Sequence, residues 1–485
     1  MSQKVIIVGA GIGGLAIANL LLSSGYDVTI IEKYSKAGGR LNIIQKDGFI
    51  FDTGPTFVSM SYIIKEFAEK AKIKVPDLHP LDPLYSVFIN NRKFNIYRDI
   101  DKLEYEFKDI EPNFKNKFKV YLEDSKKVFD DTFKIIVKRN FYSFFEYILS
   151  LLRLNPIYLK LVLTSFWEEI KEYFSSEELK KIVSLVSFFL GQSPFHTIAI
   201  YKLLSNIEFL NDGYYYIKGG MYELVKSLTK TLQDKIIYNT EIVDFISENN
   251  KIVALVDNNR RIHKADIFVI NSDVLYFKQK VFKRYSIEKL NKFKWTYGFF
   301  NIYIGLNKKI SNLEHHNYYI NSNYNKSTFD LIKTKVNLEK FPYYYVNFNS
   351  KLSIEYQDKD SIIIIAPVPN LIYKKDWKDK EIIAKKIIND LSTKINLDLS
   401  ENIITKIIYT PEDWAENFNL YQGSGLGLAH SLDQIGYFRP KNKDDFFKNV
   451  YYVGASTHPG TGIPMVITGA MLLFHRILKE SNNNY

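Results

Sequence analysis

The chain has 485 residues, of which 46% are hydrophobic and 25% are charged, so it can form two or three domains, each with a core of its own. It contains no cysteine, which excludes a disulfide scaffold, a thiolate nucleophile, a cysteine-ligated zinc site and a protein-bound iron–sulfur cluster. The net charge of +11 is compatible with nucleic acid, an anionic membrane or an acidic substrate, and equally with a codon bias towards Lys, Asn, Ile, Tyr and Phe.

The N-terminal segment predicts an intracellular protein without a signal peptide. A short apolar run and a glycine loop follow the first residues directly, which is not the pattern of a secretory signal. No window reaches about 18 uninterrupted apolar residues, so we do not expect a membrane-spanning helix. Attachment to a membrane surface remains compatible with the sequence.

Residues 1–32 predict a β-α-β unit. Residues 4–8 are an apolar run typical of a buried strand, residues 9–14 form a tight turn, residues 15–24 a helix with an apolar face, and residues 28–32 a second strand. This order is typical of the beginning of a doubly wound sheet.

The rest of the chain changes from a helical to a mostly β pattern. Apolar residues at three- and four-residue spacing predict helices between residues 101 and 211. Strand patterns return later, and the chain ends with a strand, a Gly/Pro-rich loop, a helix and a disordered tail. The predicted ranges are 235–238, 252–256, 267–271, 299–306, 343–349, 361–368 and 450–453 for the strands, 454–464 for the loop, 465–478 for the helix and 481–485 for the tail.

The turn after the first strand carries the motif Gly9-Ala10-Gly11-Ile12-Gly13-Gly14. In such a loop the first glycine permits the turn, the second lets backbone N–H groups approach a pyrophosphate, and the third lets the helix pack on the strand. Glu32 ends the second strand, where a carboxylate accepts hydrogen bonds from ribose hydroxyls and disfavours a 2′-phosphate. The segment therefore predicts a site for a dinucleotide other than NADP.

A second group of residues indicates which dinucleotide is bound. Gly38-Gly39-Arg40 places a guanidinium near the same pyrophosphate, and Asp52-Thr53-Gly54-Pro55 follows a short hairpin. With these segments the sequence resembles the two-dinucleotide-fold flavoproteins, which include amine oxidases, protoporphyrinogen oxidase and carotenoid desaturases.

The C-terminal segment narrows the resemblance. YYVGASTHPGTGIPMV at residues 451–466 resembles the second flavin motif of bacterial-type phytoene and dehydrosqualene desaturases. Shorter matches lie in the same order, so that the resemblance covers residues 1–478; Ile217, where proline is common, and Thr53, where alanine is common, depart from it. The shorter matches are Gly219-Gly220-Met221, Tyr303-Ile304-Gly305-Leu306 with His315-His316, Ala366-Pro367-Val368-Pro369, Tyr421-Gln422-Gly423-Ser424 and Phe438-Arg439-Pro440.

The resemblance implies FAD as the cofactor and assigns its contacts. Gly9, Gly11 and Gly14 would contact the pyrophosphate, with Arg40 beside the phosphates. Adenine would rest on the backbone near Val243, and the start of the last helix would face the pyrimidine end of the flavin, where the helix N-terminus stabilises negative charge. The implied FAD-binding residues are Gly9, Gly11, Gly13, Gly14, Glu32, Lys33, Gly39, Arg40, Gly54, Pro55, Thr56, Val243, Gly454, Ala455, Gly462, Ile463, Pro464 and Met465.

The fold class implied is α/β, with a discontinuous Rossmann-like FAD-binding domain, a β-rich substrate domain and an inserted helical cap associated with a membrane. We expect the FAD-binding domain to comprise residues 1–85, 213–290 and 425–485. The substrate domain would comprise residues 86–110 and 291–424, and the cap residues 111–212.

The expected reaction is desaturation of a linear C40 or C30 carotenoid precursor, phytoene or dehydrosqualene. A hydride passes from an allylic carbon to flavin N5, a proton leaves the adjacent carbon, and oxygen or a quinone is the terminal electron acceptor. Two alternatives stay open. One is ketolase, oxygenase or retinoid saturase activity within the same family, and the other is an FAD-containing isoprenoid-binding protein without desaturase activity.

Glu146 is the candidate acid or base. It lies among the apolar and aromatic residues of 141–152, so a low-dielectric tunnel would raise its pKa, and the position resembles that of an aspartate proposed for this role in the family. A solvated glutamate on an amphipathic helix explains the same pattern.

The segment 138–167 combines basic and aromatic residues in short helices split by Pro156, which predicts peripheral attachment to the cytoplasmic face of a membrane. The eight histidines have no spacing typical of a metal site. Basic residues are dispersed, so we do not expect nucleic acid as a partner. The oligomeric state is not predicted.

Overall fold

The protein is described from a computed structural model, which covers residues 2–90, 92–284, 286–336 and 343–482. Its strands are β1 (Lys4–Val8), β2 (Asp27–Ile31), β3 (Ile43–Lys46), β4 (Phe49–Asp52), β5 (Val58–Ser59), β6 (Leu78–Pro80), β7 (Tyr85–Ile89), β8 (Arg92–Ile96), β9 (Tyr214–Ile217), β10 (Ile236–Ile237), β11 (Ile242–Glu248), β12 (Lys251–Asp257), β13 (Ile262–Lys264), β14 (Ile267–Ile270), β15 (Gly298–Leu306), β16 (His316–Ile320), β17 (Tyr343–Asn347), β18 (Asp360–Val368), β19 (Ile403–Tyr409) and β20 (Val450–Tyr452).

The α-helices follow the same numbering from the N-terminus. They are α1 (Ile12–Ser23), α2 (Ser61–Ala71), α3 (Ile100–Phe107), α4 (Phe114–Thr132), α5 (Phe144–Leu151), α6 (Tyr158–Leu163), α7 (Phe166–Lys171), α8 (Glu177–Val183), α9 (Leu203–Ser205), α10 (Tyr222–Thr229), α11 (Val274–Lys280), α12 (Ile287–Asn291), α13 (Lys326–Thr334), α14 (Lys380–Ile395), α15 (Pro411–Phe418) and α16 (Ile463–Asn482).

A five-stranded parallel sheet joins three distant parts of the chain. Its strand order is β10-β2-β1-β14-β20, and β1 pairs in parallel with both β2 and β14. In β1, β2, β14 and β20 the Val and Ile side chains are buried on both faces, with α1 and α16 packed against one of them, as expected of a parallel sheet covered by helices. Because all carboxyl ends of parallel strands meet at one edge, the N-terminal glycine loop lies beside the segment that follows β20.

A seven-stranded sheet forms the second layer, in the order β19-β15-β18-β17-β16-β7-β8. Its neighbours are antiparallel except β16 and β7, which are parallel. Alternate residues of each strand point to opposite faces. One face, with Phe300, Ile302 and Ile364, packs against α14, and the other face, with Tyr343 and Tyr345, borders a large internal cavity.

The region between β8 and β9 is helical, as its apolar spacing predicts. Helices α3, α4, α7 and α8 bury a largely aromatic face against the seven-stranded sheet, mainly its strands β7 and β8. Two π-helical turns interrupt the α-helical pattern, at Phe133–Val137 and Asn206–Asn211. Among the described residues, no helix has the length and apolar character needed to cross a bilayer.

The mixed α/β class and most predicted elements are confirmed, with ends shifted by at most four residues. Helix α1 begins earlier than predicted, at Ile12, since the glycine loop itself forms its first turn. Helix α16 also begins earlier, at Ile463, because Pro464 has the backbone geometry of a first helical turn and needs no hydrogen-bond donor there. It continues through Asn482, so the predicted disordered tail is wrong at residues 481 and 482, and residues 483–485 lie outside the described residues.

Candidate functional site

The glycine loop after β1 has positions at which only glycine fits. Gly9 has φ of +97°, and a Cβ added at Gly14 would lie 2.2 Å from the Gly9 carbonyl oxygen. Gly11 caps the N-terminus of α1 and lines the cavity. The helix N-terminus therefore presents unpaired backbone N–H groups to any anion in the cavity.

Glu32 lies at the carboxyl end of β2 and is 6% exposed. Its carboxylate accepts hydrogen bonds from the backbone N–H of Ala10, at 2.6 Å, and of Tyr34, at 2.9 Å. Burial raises the pKa of Glu32, and these backbone donors partly offset that rise. Two bonds leave further acceptor positions on its two oxygens, which suits hydroxyl groups such as those of a ribose.

Two basic residues border the same end of the cavity. Lys33 is engaged in an ion pair with Glu241 at 3.0 Å. Arg40 lines the cavity, and burial lowers the pKa of its guanidinium. Within the described ranges Arg40 takes part in no ion pair at 4.0 Å or less, so its donors are available to a phosphate.

The loop before α16 closes the cavity from the other side. Gly454 has φ of +126° and approaches the side chain of Asn271. Helix α16 begins at Ile463, and Gly462, Ile463 and Met465 line the cavity. A second helix N-terminus, together with that of α1, therefore faces one cavity and favours negative charge there.

The cavity continues from this polar end into an aromatic channel. Its volume is about 630 Å³, and the residues that line the channel come from the loop after Gly54, the helical region and one face of the seven-stranded sheet. They are Phe57, Phe188, Phe189, Tyr214, Tyr318, Tyr343 and Tyr345. Such walls suit an apolar ligand, because they offer dispersion and burial but few charges.

Most residues that the sequence assigns to FAD border this one cavity. The structure brings together Gly9, Gly11, Gly13, Glu32, Lys33, Gly39, Arg40, Gly54, Pro55, Thr56, Gly454, Ala455, Gly462, Ile463, Pro464 and Met465. Their convergence fits a dinucleotide that extends from the Glu32 end to the loop before α16.

Two assigned residues lie elsewhere. Gly14 does not line the cavity; it allows α1 to pack on the loop, as its close approach to the Gly9 carbonyl shows. Val243 is 38% exposed, and the wall at this point is formed by Thr240, Glu241 and Ile242. The Val243 side chain therefore faces away from the cavity, while its neighbour Ile242 faces it, because successive residues of a strand point to opposite faces.

Sequence reasoning missed the polar segment after β14. Asn271, Ser272 and Asp273 line the cavity, and the Asn271 side chain contacts the glycine loop. The rule that parallel strands end at one edge would have identified this segment, since residues 267–271 were predicted as a strand.

The expectation of a raised pKa for Glu146 is wrong. Its carboxylate lies in the first turn of α5, pairs with Arg139 at 3.2 Å and accepts from the Tyr142 N–H at 3.0 Å. Burial is slight and these two partners hold its pKa below the ordinary value. Glu146 does not border the cavity, so its surroundings are those of a surface helix cap.

Within the described residues no group of three His, Asp or Glu side chains could hold a metal ion. His315 and His316 are adjacent, with ring centroids 4.5 Å apart. Both are buried, which lowers the pKa of each and keeps it neutral. His315 donates a hydrogen bond from its ring N–H to the Phe348 carbonyl, and the His316 ring shares a hydrogen bond with the Tyr345 hydroxyl.

Comparison with known proteins agrees with this geometry. The family model for flavin containing amine oxidoreductase matches residues 12–471. The chain belongs to this family. It is an FAD-dependent oxidoreductase, and the prediction of FAD as the cofactor is confirmed.

Full-length relatives confirm the narrower resemblance. A zeta-carotene-forming phytoene desaturase from Myxococcus xanthus is 29% identical over 98% of this chain and 94% of its own. A 4,4'-diapophytoene desaturase (4,4'-diaponeurosporene-forming) from Staphylococcus haemolyticus is also 29% identical, over 99% of both chains.

Solved structures show the same fold at low identity. An oxidoreductase from Methanosarcina mazei superimposes with a TM-score of 0.65 at 16% identity, covering 98% of this chain and 100% of that one. A putrescine oxidase mutant with redesigned cofactor binding also has a TM-score of 0.65, at 12% identity with full coverage of both chains. At this low identity, the structural similarity is evidence for the shared α/β fold and for nothing further.

Proposed function

We propose that the protein is an FAD-dependent desaturase of a long linear isoprenoid, a C40 or C30 carotenoid precursor. The observation that carries this proposal is the single cavity, which joins the dinucleotide end to an aromatic channel. A hydrocarbon has no group for hydrogen bonding, so its affinity must come from burial, at about 25 cal/mol per Å². The full-length relatives that act as phytoene and diapophytoene desaturases support the same substrate class.

Different residues around the cavity would bind the cofactor and the substrate. The N-termini of α1 and α16, Arg40 and Glu32 would hold FAD, and a Rossmann-like domain assembled from residues 1–85, 213–290 and 425–485 would carry them. Bound flavin would supply the hydride acceptor for oxidation of a CH–CH bond. The aromatic channel would orient the polyene and exclude water.

An apolar surface patch supports peripheral membrane attachment. It is formed by α5, α6 and their flanking residues, in the segment that we propose as part of a cap over residues 111–212. Its exposed members are Tyr142, Phe144, Phe145, Leu149, Leu151, Leu152, Ile157, Leu159 and Leu163.

Basic residues accompany this apolar surface patch in the sequence. Arg153 and Lys160 lie within it, and Arg139 precedes it, as in helices that lie in a membrane interface. Phe133 and Val137, just before the patch, line the cavity. This continuity supports entry of a lipid from the cytoplasmic face of a bilayer into the channel.

The test is reconstitution of the flavin-loaded protein in anionic vesicles that contain either 15-cis-phytoene or dehydrosqualene, followed by chromatography with absorbance spectra. New conjugated double bonds support the proposal, and oxygen and a quinone are supplied in separate reactions to identify the electron acceptor. No spectral change with either lipid overturns it.

Two alternative functions predict different outcomes in the same vesicle experiment. A ketolase, oxygenase or saturase leaves both precursors unchanged but converts a coloured carotenoid or a retinoid. An isoprenoid-binding protein without activity retains lipid, yet its flavin is not bleached by either precursor under anaerobic conditions.

A further inference from the structure

The structure contains a buried carboxyl group for which the binding of FAD gives no role. Glu208 lies in the π-helical turn Asn206–Asn211 and is 1% exposed. Its Oε1 atom has no hydrogen-bond partner, and in the described part of the chain no Lys, Arg or His lies within 4.0 Å of the carboxyl. A buried carboxyl without a counter-ion is costly unless it is protonated, and such groups are frequent at functional sites.

Tyrosine hydroxyls are the polar groups that face Glu208. The Tyr85 hydroxyl on β7 and the Tyr214 hydroxyl on β9 are close enough to stabilise the ionised carboxyl, and Tyr121 on α4 and Tyr318 on β16 are close enough to interact electrostatically. Burial raises the pKa of Glu208 to about 8, with the Tyr85 and Tyr214 hydroxyls opposing that rise. The carboxyl therefore changes its protonation state near the pH at which enzymes work.

Tyr214 connects this carboxyl to the cavity. Tyr214 lines the cavity wall, as does Ile207 immediately before Glu208, whereas Glu208 and Tyr85 do not. The Tyr214 ring lies 4.5 Å from the ring of Phe57, which follows the segment Gly54-Pro55-Thr56 at the dinucleotide end. Tyr214 thus stands between the carboxyl and the part of the channel nearest the proposed flavin site.

We propose that Glu208, acting through the Tyr214 hydroxyl, receives the proton that leaves the substrate during desaturation. This inference rests on the proposed function. The C–H bond on the carbon next to the hydride donor breaks, its electron pair forms the new double bond, and its proton passes to the Tyr214 oxygen. Tyr214 releases its own proton to the ionised Glu208 carboxylate in the same step, which becomes a carboxylic acid.

The two electrons and the proton removed from the substrate each have an acceptor. The hydride goes to flavin, oxygen or a quinone later removes the two electrons, and Glu208 returns its proton to solvent before the next turnover. A weak base is sufficient, because a carbon next to a developing cation is strongly acidic. Glu208 is accordingly a positioning and proton-storing residue, and Tyr214 is the group that touches substrate.

The experiment compares E208Q, E208D, Y214F and Y85F in the flavin-loaded full chain, with whichever of phytoene or dehydrosqualene the wild type converts. Glutamine matches the neutral carboxyl in shape, so E208Q is expected to fold and to bind flavin. Y214F and Y85F each remove one hydroxyl from the carboxyl, but only Tyr214 borders the cavity, which makes Y85F the matched control. Flavin content and thermal unfolding are measured for each variant.

The expected result for E208Q and Y214F is a loss of turnover of about a hundredfold or more. The wild-type rate should rise with pH through a limb near 8, because only the ionised carboxylate accepts a proton. Y85F should keep its plateau rate within about twofold while this limb moves to higher pH, since one donor that stabilises the carboxylate is lost. E208D should retain more activity than E208Q, because it keeps a carboxyl.

A second readout is independent of turnover. In infrared spectra the wild type should show a protonated carboxyl band that disappears as pH rises through about 8, and E208Q should lack it. Wild-type rates and pH profile in E208Q, or wild-type turnover in Y214F, overturn the inference. If the wild type converts neither lipid, the proposed desaturase function itself fails. If the wild type is active and E208Q and Y214F are equally active, only the role of Glu208 and Tyr214 fails. Should E208Q not fold, Y214F and E208D decide the question.

Discussion

The side-chain amide of Asn271 donates a hydrogen bond to the Gly9 carbonyl oxygen at 3.0 Å. This bond joins the end of β14 to the glycine loop after β1, although the two residues are 262 positions apart in the chain. Asn271 also lies close to Gly11, Gly13 and Gly14. One side chain therefore supports the whole loop that faces the proposed pyrophosphate.

N271A should weaken FAD binding by about tenfold and lower the free energy of unfolding by about 1 to 2 kcal/mol, because the partly buried Gly9 carbonyl loses its partner. Flavin titration followed by fluorescence, together with urea unfolding, measures both. The control is N19A, which removes a buried amide that bonds to Leu15 and Leu228 away from the cavity. N19A should destabilise the fold and keep the flavin affinity; an equal loss of affinity in both variants would contradict the role of Asn271.

G14A should abolish flavin binding and strongly destabilise the protein. The added methyl group would lie 2.2 Å from the Gly9 carbonyl oxygen, so α1 or the loop must move. G25A is the matched change, since a Cβ there meets nothing within 4 Å and only its φ of +88° is unfavourable; it should cost about 1 to 2 kcal/mol. Flavin content after purification and thermal unfolding distinguish them, and a flavin-loaded G14A of normal stability would be inconsistent with this packing.

The protein should lose stability as pH falls from 6.5 towards 4. Burial lowers the pKa of His315 and of His458 to about 4 in the folded state, below the ordinary value of about 6.5. The stability that comes from keeping them neutral is complete above the unfolded pKa and is lost as pH falls through the folded one, up to about 3 kcal/mol for each residue.

Urea unfolding across this pH interval measures the loss. H315Q, which keeps an amide donor for the Phe348 carbonyl, should be less stable at neutral pH but should show a shallower decline on acidification. An unchanged decline would show that His315 does not contribute to acid sensitivity.

Replacing Phe145, Leu152 and Leu163 together by serine should remove vesicle binding. These side chains are 70%, 76% and 75% exposed, and each would contribute roughly 1.5 to 3 kcal/mol if fully buried in the membrane interface. Flotation with anionic vesicles measures binding. The control variant changes Ile262, Ile287 and Ile382, which are 55%, 59% and 62% exposed on other elements; loss of binding in both variants would indicate general apolar adhesion.

E146Q should turn over at a rate within about twofold of wild type. Glu146 is ion-paired with Arg139 on the surface, and such exposed pairs contribute about 1 kcal/mol or less. Turnover in vesicles and thermal unfolding check this expectation. A loss of turnover comparable to that expected for E208Q, at normal flavin content, would show that Glu146 takes part in catalysis.

The residues that the sequence identified best are those with local steric requirements. Gly9 needs a positive φ, and Gly11 and Gly454 line one cavity, so the motif reveals its role without knowledge of the remaining chain. The same applies to Glu32 at the end of a strand that is recognisable from its own apolar pattern. The sequence could not show that the Val243 side chain points away from the cavity, because the direction in which a strand residue faces depends on pairing with neighbouring strands.

The sequence by itself thus determined the cofactor, the β-α-β unit that begins its site and the family. Only the tertiary structure decided which of the two candidate proton-transfer residues, Glu146 or Glu208, is buried. Glu146 has apolar neighbours in the sequence but lies beside Arg139 at the surface, whereas Glu208 is buried near Tyr85, Tyr121 and Tyr318, which come from distant segments, and near Tyr214. Ionisation depends on the solvent and charge surrounding a group in space, and nearest neighbours along the chain do not specify that environment.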